Sequence, residues 1–475
     1  MQFQNIKNNE SSNSHASVVK IAIILVAGAI APMLDTTMTN VAINTIMKDL
    51  NSSVNMVQWV TTSYILALGI VVPIAGWMVD HYSGKKIYLI ALSLFLFGSI
   101  ISGISTSINL LILGRIIQGA GAGIIISILT TLIVRATGTQ GLGSIMAIVG
   151  LPAILAPILG PTFGGFIIKA LNWHWIFYIN IPIALASIAL LYFMMPPFEP
   201  TQAKKAFDWT SIFLLGGSFT TLILGVTKLS TSSKVLNSDV LVPILIGIVL
   251  IVGYVFYAKY FPKKALVSLK LFSFPSFTAS SILLLMSGLT INGAMFILPL
   301  YLQNIRGLSV MMSGVYLISQ GVGLLISRSQ IGKLTDQIGA RWVVLVSILI
   351  ALIGTLPFAF FNANTDTWII LLTLFVRGIA QGGMTIPIMS DSYSGVPIEL
   401  ISEATTASRM LQNIGGAFGT ALLATWIQKQ MTGQTMTLSH LNSAYQSAFV
   451  VTVIVTILAV IPAWFLSHNI SANKK

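Results

Sequence analysis

Asp35 is the one carboxylate that falls well inside a long apolar run of this chain. It stands in MLDTTMTNVAI, at the far end of a stretch that begins near Val18 and carries no charge after Lys20. Hydrocarbon burial penalises the ionised carboxylate and strengthens proton binding, so a group so placed can take up a proton on one side of a barrier and release it on the other. A purely local role, hydrogen bonding to Thr36, Thr37 or Asn40, is the alternative. Arg115, in LILGRIIQGAGAG, is a cation about 10 Å into another apolar run, and Asp35 lies about 22 Å along its own run from Lys20. If the two runs cross a membrane in opposite directions, both groups lie in its outer half, where they can approach each other or share water, with Gln118 one turn from Arg115.

The other acids sit elsewhere. Glu10, Asp49, Asp80, Glu199, Asp208, Asp239, Asp336 and Asp366 belong to tails, loops or segment ends. Asp391, Glu399 and Glu403 cluster in SDSYSGVPIELISEATT, read as the cytoplasmic junction between two segments. There is no Cys, the five His show no ligand spacing, and no GxxxxGK[ST] run cradles a phosphate. Thiol chemistry, metal sites and nucleotide use are therefore not expected, nor is any cofactor or enzymatic activity.

The elements that carry these residues follow from composition. Hydrophobic residues are 55% of 475 positions and charged residues 8%, with mean hydropathy +0.89, which points to an integral membrane protein. The apolar material comes in runs of about 20 residues, so helices rather than a barrel do the spanning. Spans are read near 19–44, 57–79, 86–106, 109–134, 142–168, 173–195, 208–228, 240–260, 272–301, 308–330, 342–361, 367–389, 404–427 and 446–467, about fourteen in all. With the N-terminus inside, Lys85, Lys86, Arg135, Lys204, Lys205, Lys264, Arg328 and Lys333 are among the many cytoplasmic basic residues, whereas the outer loops hold Lys48, Lys169, Lys228, Lys234, Arg306 and Lys429. This asymmetry puts both termini in the cytoplasm and accounts for the net charge of +13 without nucleic acid. Trp173, Trp175, Phe177 and Tyr178 read as an outer aromatic belt.

A repeat organises the spans. GWMVDHYSGKK follows the second and GKLTDQIGARW the tenth, so that Gly76 and Asp80 are matched by Gly332 and Asp336 at the same spacing. The organisation expected is a disordered cytoplasmic tail 1–18, a six-helix bundle 19–196, a linker 197–270 with two additional helices, a second six-helix bundle 271–467, and a cytoplasmic tail 468–475. In each loop the glycine permits close helix approach, and the acid can accept from a helix N-terminus or pair with Lys85, Lys86 or Arg341, latching one bundle to the other. Span five holds Pro157, Gly160, Pro161, Gly164 and Gly165; its small residues let backbones touch and its prolines bend it.

The motifs LDTTMTNVAI, VQWVTTSYILALGIVVPIAGWMVD, LILGRIIQGAGAG and LPAILAPILGPTFGGF, in this order, resemble the major facilitator superfamily, specifically its fourteen-helix drug:proton antiporter branch of bacterial multidrug exporters. WHWIFYINIP is similar to the same branch. The resemblance implies the major facilitator fold, a role for Arg115 in proton transfer, and export as the direction of transport, since the span-five pattern resembles the antiporter motif. The first loop departs from the family pattern, with His81 where a basic residue is usual and Gly84 displaced by one. Related exporters of organic cations carry further acids in the second bundle, which spans nine to eleven here lack, so monocationic, neutral or zwitterionic lipophiles are expected. Met33, Gln58, Trp59, Tyr64, Gln118, Asn292, Met295, Tyr301, Gln320 and Gln412 are candidates for the cavity wall. The function expected is proton-driven efflux of lipophilic drugs, with an exporter dedicated to one metabolite, peptide antibiotic or lipid precursor as the alternative. The chain is expected to work as a monomer in the bacterial cytoplasmic membrane, in contact with lipid and without an outer-membrane adaptor.

Overall fold

The computed structural model describes residues 2–52, 54–137, 150–200, 207–231, 237–262, 264–431 and 437–468. Long helices dominate and, among the described residues, there is no strand. They divide into two compact units, Met1–Lys205 and Ala206–Lys475.

The first unit holds α1 (Gln2–Asp49), α2 (Val54–His81), α3 (Gly84–Gly103), α4 (Ile108–Thr137), α5 (Leu151–Ala170) and α6 (Asn180–Met194), the last two joined through a helical turn at Trp175–Tyr178. The second holds α7 (Trp209–Thr231), α8 (Ser238–Tyr260), α9 (Pro275–Asn304), α10 (Val310–Ile338), α11 (Ala340–Thr355), α12 (Thr367–Asp391), α13 (Ile401–Met431) and α14 (Leu438–Leu458). The polar tail expected to be irregular is instead the start of α1; residues 2–17 contain neither Gly nor Pro to stop the helix. The start of span five, residues 142–149, and the tail 469–475 lie outside the described residues.

Eleven helices of the described chain are long and apolar enough to cross a membrane. The helices α5, α10 and α13 are not among them: side chains of α5 and the start of α10 lie outside the described residues, and α13 carries Glu403, Arg409 and several amides. The apolar exterior is clearest on α8, where Ile246, Val249 and Phe256 are exposed. In lipid, apolar surface does not drive helices together, so association rests on close packing and interhelical hydrogen bonds.

The packing repeats from unit to unit. In the first, α4 lies against α2 and α3, and α1 against α5 and α6; in the second, α12 lies against α10 and α11, and α9 against α13 and α14. Glycines set the crossings. A Cβ on Gly119 or Gly123 of α4 would strike the carbonyls of Tyr64 or Leu68 on α2, and one on Gly378 or Gly382 of α12 would strike the Gln320 carbonyl or the Leu324 side chain on α10. Likewise Gly98 of α3 abuts the Gln118 backbone and Gly354 of α11 abuts that of Arg377. The hairpin α7–α8 belongs to the second unit, where α7 packs on α13. Asp208 begins α7 by accepting from the amides of Thr210 and Ser211, at 3.1 and 3.3 Å, and its other oxygen accepts from the Ser211 hydroxyl.

Candidate functional site

Five helices of the first unit, α1 to α4 and α6, bring a polar knot into its interior. Asp35 on α1 and Arg115 on α4 are both 0% exposed and form an ion pair through Oδ2 and Nη1. The second carboxylate oxygen, Oδ1, accepts from Asn180 Nδ2 at the start of α6 (2.8 Å) and from Gln118 Nε2 (3.2 Å). Gln118 also donates to Ser99 Oγ (2.7 Å) and accepts from Arg115 Nη1 (2.8 Å). Arg115 Nε reaches the Val60 carbonyl at 3.1 Å, while Nη2 has no partner. Its guanidinium lies over the Tyr64 ring, 4.1 Å from the centroid, with the Phe177 ring at 5.7 Å. Three donors thus hold one buried carboxylate, and an aromatic floor holds its cation.

Pro32, one turn before Asp35, leaves α1 short of an amide donor, and the region is braced by side chains. The Pro32 carbonyl accepts from Thr36 Oγ1 (3.1 Å) and from the Tyr64 hydroxyl (3.2 Å), and the Asp35 carbonyl accepts from Thr39 Oγ1 (2.8 Å). The threonines expected as alternative partners of the Asp35 carboxylate are occupied with backbone carbonyls: Thr37 Oγ1 donates to Leu34 O and to Ala156 O of α5, each at 2.9 Å. That contact marks the α1–α5 crossing, where Gly160 faces Thr37 and Gly164 faces Met38, while a Cβ on Gly165 would meet nothing within 4 Å. The backbone of α5 is helical through Pro157 and Pro161, whose side chains lie outside the described residues.

The sequence that builds this site matches the Major Facilitator Superfamily over residues 25–420. The chain belongs to that superfamily. As a member it is a multi-pass membrane transporter and not an enzyme. It is 29% identical to the "Multidrug resistance protein B homolog" of Mycobacterium tuberculosis (strain ATCC 25618 / H37Rv), over 87% of this chain and 77% of that protein. Identity to the "Lincomycin resistance protein LmrB" of Listeria innocua is 30%, over 94% and 96%. The "Multidrug export protein EmrB" of Haemophilus influenzae is 25% identical, over 90% and 84%. Among solved structures, the proton:xylose symporter XylE superimposes with TM-score 0.62 at 14% identity, covering 94% of this chain and 96% of that one, which shows the shared fold.

The loop motifs of this facilitator do their work differently from the expectation. Asp80 pairs with Arg135 at the end of α4, whose Nη1 also donates to the Val79 carbonyl at 3.1 Å. Lys85, expected to pair with Asp80, instead caps the end of α6: Nζ donates to the carbonyls of Tyr192 (2.8 Å) and Met195 (2.6 Å). In the second unit Arg341 donates from Nε to the Leu466 carbonyl (3.1 Å) and from its backbone amide to Ser467 O (3.2 Å), both in the irregular stretch beyond α14. For Lys85 the physical reason is that the last carbonyls of a helix lack intrahelical partners and attract a cation. Gly76, Gly332 and Asp336 lie within or at the ends of α2 and α10 as the repeat requires.

Several other expectations change. Trp173 is 2% exposed and donates from Nε1 to Asp49 Oδ2 at 2.7 Å, and Phe177 is buried under Arg115, so these two are interior rather than part of a belt; Trp175 is exposed. Tyr301 is not a cavity wall but the centre of an aromatic cluster with Phe358, Tyr445 and Phe449. Tyr64 and Gln118 belong to the polar knot, Gln320 Nε2 donates to Gln381 Oε1 (2.9 Å), and Asn292 Nδ2 bonds its own helix at Gly288 O (3.1 Å). Met33, Met295 and Gln412 are half-buried, Trp59 is exposed, and the Gln58 side chain lies outside the described residues. Glu403 is buried in the first turn of α13, accepting from the Ser268 amide at 2.6 Å.

Asn180 is the site residue that the sequence reading overlooked. It is a lone amide in the apolar run IFYINIPIALA, the same kind of signal that singled out Asp35.

Proposed function

We propose that this facilitator exports lipophilic drugs or other toxic compounds in exchange for protons, with Asp35 as the proton carrier and Arg115 as its partner. The observation that carries this reading is the Asp35–Arg115 pair, closed by Gln118 and Asn180 in the interior of the first unit. Relatives named for multidrug and lincomycin resistance support the substrate class.

The chemistry follows from the hydrogen bonds. A proton entering from outside neutralises the carboxylate and removes the negative charge that Arg115 answers. A buried guanidinium without its counter-ion costs about 3–5 kcal/mol, so the knot cannot persist in this geometry once Asp35 is protonated. Arg115 then draws on the Val60 carbonyl and Gln118, and the contacts tying α1 to α4 and α6 loosen. The deprotonated pair favours the inward-open state and substrate capture, and protonation favours release outside; alternating access couples the two.

The same reading takes α5, α10 and α13 as spans in addition to the eleven apolar helices, giving fourteen crossings, both termini in the cytoplasm and residence in a bacterial cytoplasmic membrane. The polar residues of α10 and α13 are tolerated because neighbouring helices shield them.

The test is efflux from inverted vesicles of a fluorescent lipophilic cation and of a neutral dye, with and without an imposed pH gradient, for wild type and Asp35→Asn. Gradient-dependent transport by wild type and its loss in Asp35→Asn are expected. Protonophore-sensitive export that persists in Asp35→Asn overturns the assignment of the proton to Asp35. Transport of a single compound class only would favour the dedicated exporter.

A further inference from the structure

The second unit buries a cation, Arg377, that no carboxylate answers among the described residues. Arg377 on α12 is 7% exposed, and its one side-chain hydrogen bond among the described residues runs from Nη1 to Thr355 Oγ1 at 3.4 Å, a long contact for five available donors. The repeat shows which residues stand around it. The crossings Tyr64–Gly119 and Gly98–Gln118 in the first unit correspond to Gln320–Gly378 and Gly354–Arg377 in the second. Arg377 therefore stands where Gln118 stands, and Leu374 occupies the place of Arg115; the sequence similarity of LILGRIIQG to LFVRGIAQG suggests the wrong match by three residues. Even the first partner is conserved in kind: Gln118 bonds Ser99, and Arg377 bonds Thr355.

On its other side Gln118 meets Asp35. The crossings Thr37–Gly160 and Asn292–Gly416 place Thr290 at the register of Asp35, so the second unit offers a hydroxyl where the first offers a carboxylate. One turn along α12, Gln381 takes up Gln320 Nε2 but leaves Gln320 Oε1 without a partner on a residue 8% exposed. A guanidinium lacking an anion and a carboxamide oxygen lacking a donor thus lie on adjoining faces of α12 and α10, where the two backbones touch at Gly378.

We propose that Arg377 and Gln320 form a substrate subsite that takes a carboxylate on Arg377 and a neighbouring N–H or O–H group on Gln320 Oε1, in a lipophilic molecule. The inference rests on the reading of the chain as an exporter of lipophilic small molecules and narrows its substrates toward lipophilic carboxylates and zwitterions. An Arg–carboxylate pair is forked and charge-assisted, so the ligand supplies what Asp35 supplies to Arg115.

Binding of dansyl-leucine, which carries a carboxylate beside an N–H, is compared with that of its methyl ester by dansyl fluorescence, using the purified full chain in nanodiscs of neutral lipid and subtracting empty discs. Wild type is expected to favour the acid by roughly ten-fold or more. Arg377→Gln should bind acid and ester alike, and Arg377→Lys, which keeps the charge and loses the fork, should retain only part of the preference. Thermal melts followed by Trp fluorescence check that the variants fold; where Arg377→Gln does not, Arg377→Lys decides, and an undiminished preference there counts against the subsite. Equal binding of acid and ester by wild type, binding of neither, or an unchanged preference in Arg377→Gln overturns the proposal. The assay needs no gradient, so failed proton-driven export with an intact acid preference would sink the exporter reading alone.

Discussion

A buried ion pair is a poor source of stability but a sensitive one, because removing either partner strands the other. Asp35→Asn and Arg115→Gln should each lower the stability of the detergent-solubilised protein by about 3 kcal/mol, whereas the double variant should recover most of that loss while remaining uncoupled. Thermal melts of all four forms, with gradient-driven efflux alongside, check this; additive losses would mean that the two groups act separately. The aromatic floor makes a second claim at this scale. Tyr64→Phe keeps the ring under Arg115 and gives up only the hydroxyl bond to Pro32, so its efflux should stay within a few-fold of wild type. Tyr64→Leu removes the ring face, worth about 2 kcal/mol when desolvated, and should lose most of the activity. Asp35 and Arg115 were legible in the sequence because a charge in an apolar run is conspicuous. Asn180 was harder to see, since an amide weighs little against the flanking isoleucines, and the roles of Lys85 and Arg341 depend on carbonyls more than a hundred residues away.

At the scale of elements, lengths and order could be read from hydropathy, but which faces meet could not. The glycines of α5 illustrate the difference, being alike in the pattern GPTFGGF and unlike in space. A methyl group on Gly160 would collide with Thr37 of α1, while one on Gly165 would enter open space. Gly160→Ala should therefore cost about 1–3 kcal/mol in thermal stability and impair transport, and Gly165→Ala should leave the melt unchanged within about 0.5 kcal/mol. Thr37→Ala combined with Gly160→Ala should return part of the loss, because the nearest atom to the added carbon is the threonine hydroxyl. A Gly165→Ala protein that melts well below wild type would show that the packing around α5 has been misread. The three-residue mismatch between Arg115 and Arg377 belongs to this scale too: sequence aligns the arginines, but backbone contacts at the glycine crossings align Arg377 with Gln118.

For the whole molecule the loop repeat announced two related halves, and the packing of α1 to α6 recurs in α9 to α14. The number of crossings was less plain, because α5 and α10 are apolar runs with side chains outside the described residues, and α13 carries an acid, an arginine and several amides. The parity of the chain turns on these three. Eleven crossings, an odd number, would leave the termini on opposite faces, whereas fourteen put both inside. The chain has no native cysteine, so single cysteines report sidedness without background. Asn172→Cys follows α5, Asn364→Cys follows α10 and α11, and His468→Cys follows α13 and α14; all three positions are exposed. On intact cells an impermeant maleimide should label the first two and not the third, and Lys264→Cys, beyond α8, should be protected. An inverted pattern beginning at Asn172 would remove α5 from the membrane, one beginning at Asn364 would remove α10, and labelling of His468→Cys in addition to the first two would remove α13. Each result would bring down the fourteen-span topology, and the first would also move the basic residues of α6–α7 and α8–α9 out of the cytoplasm.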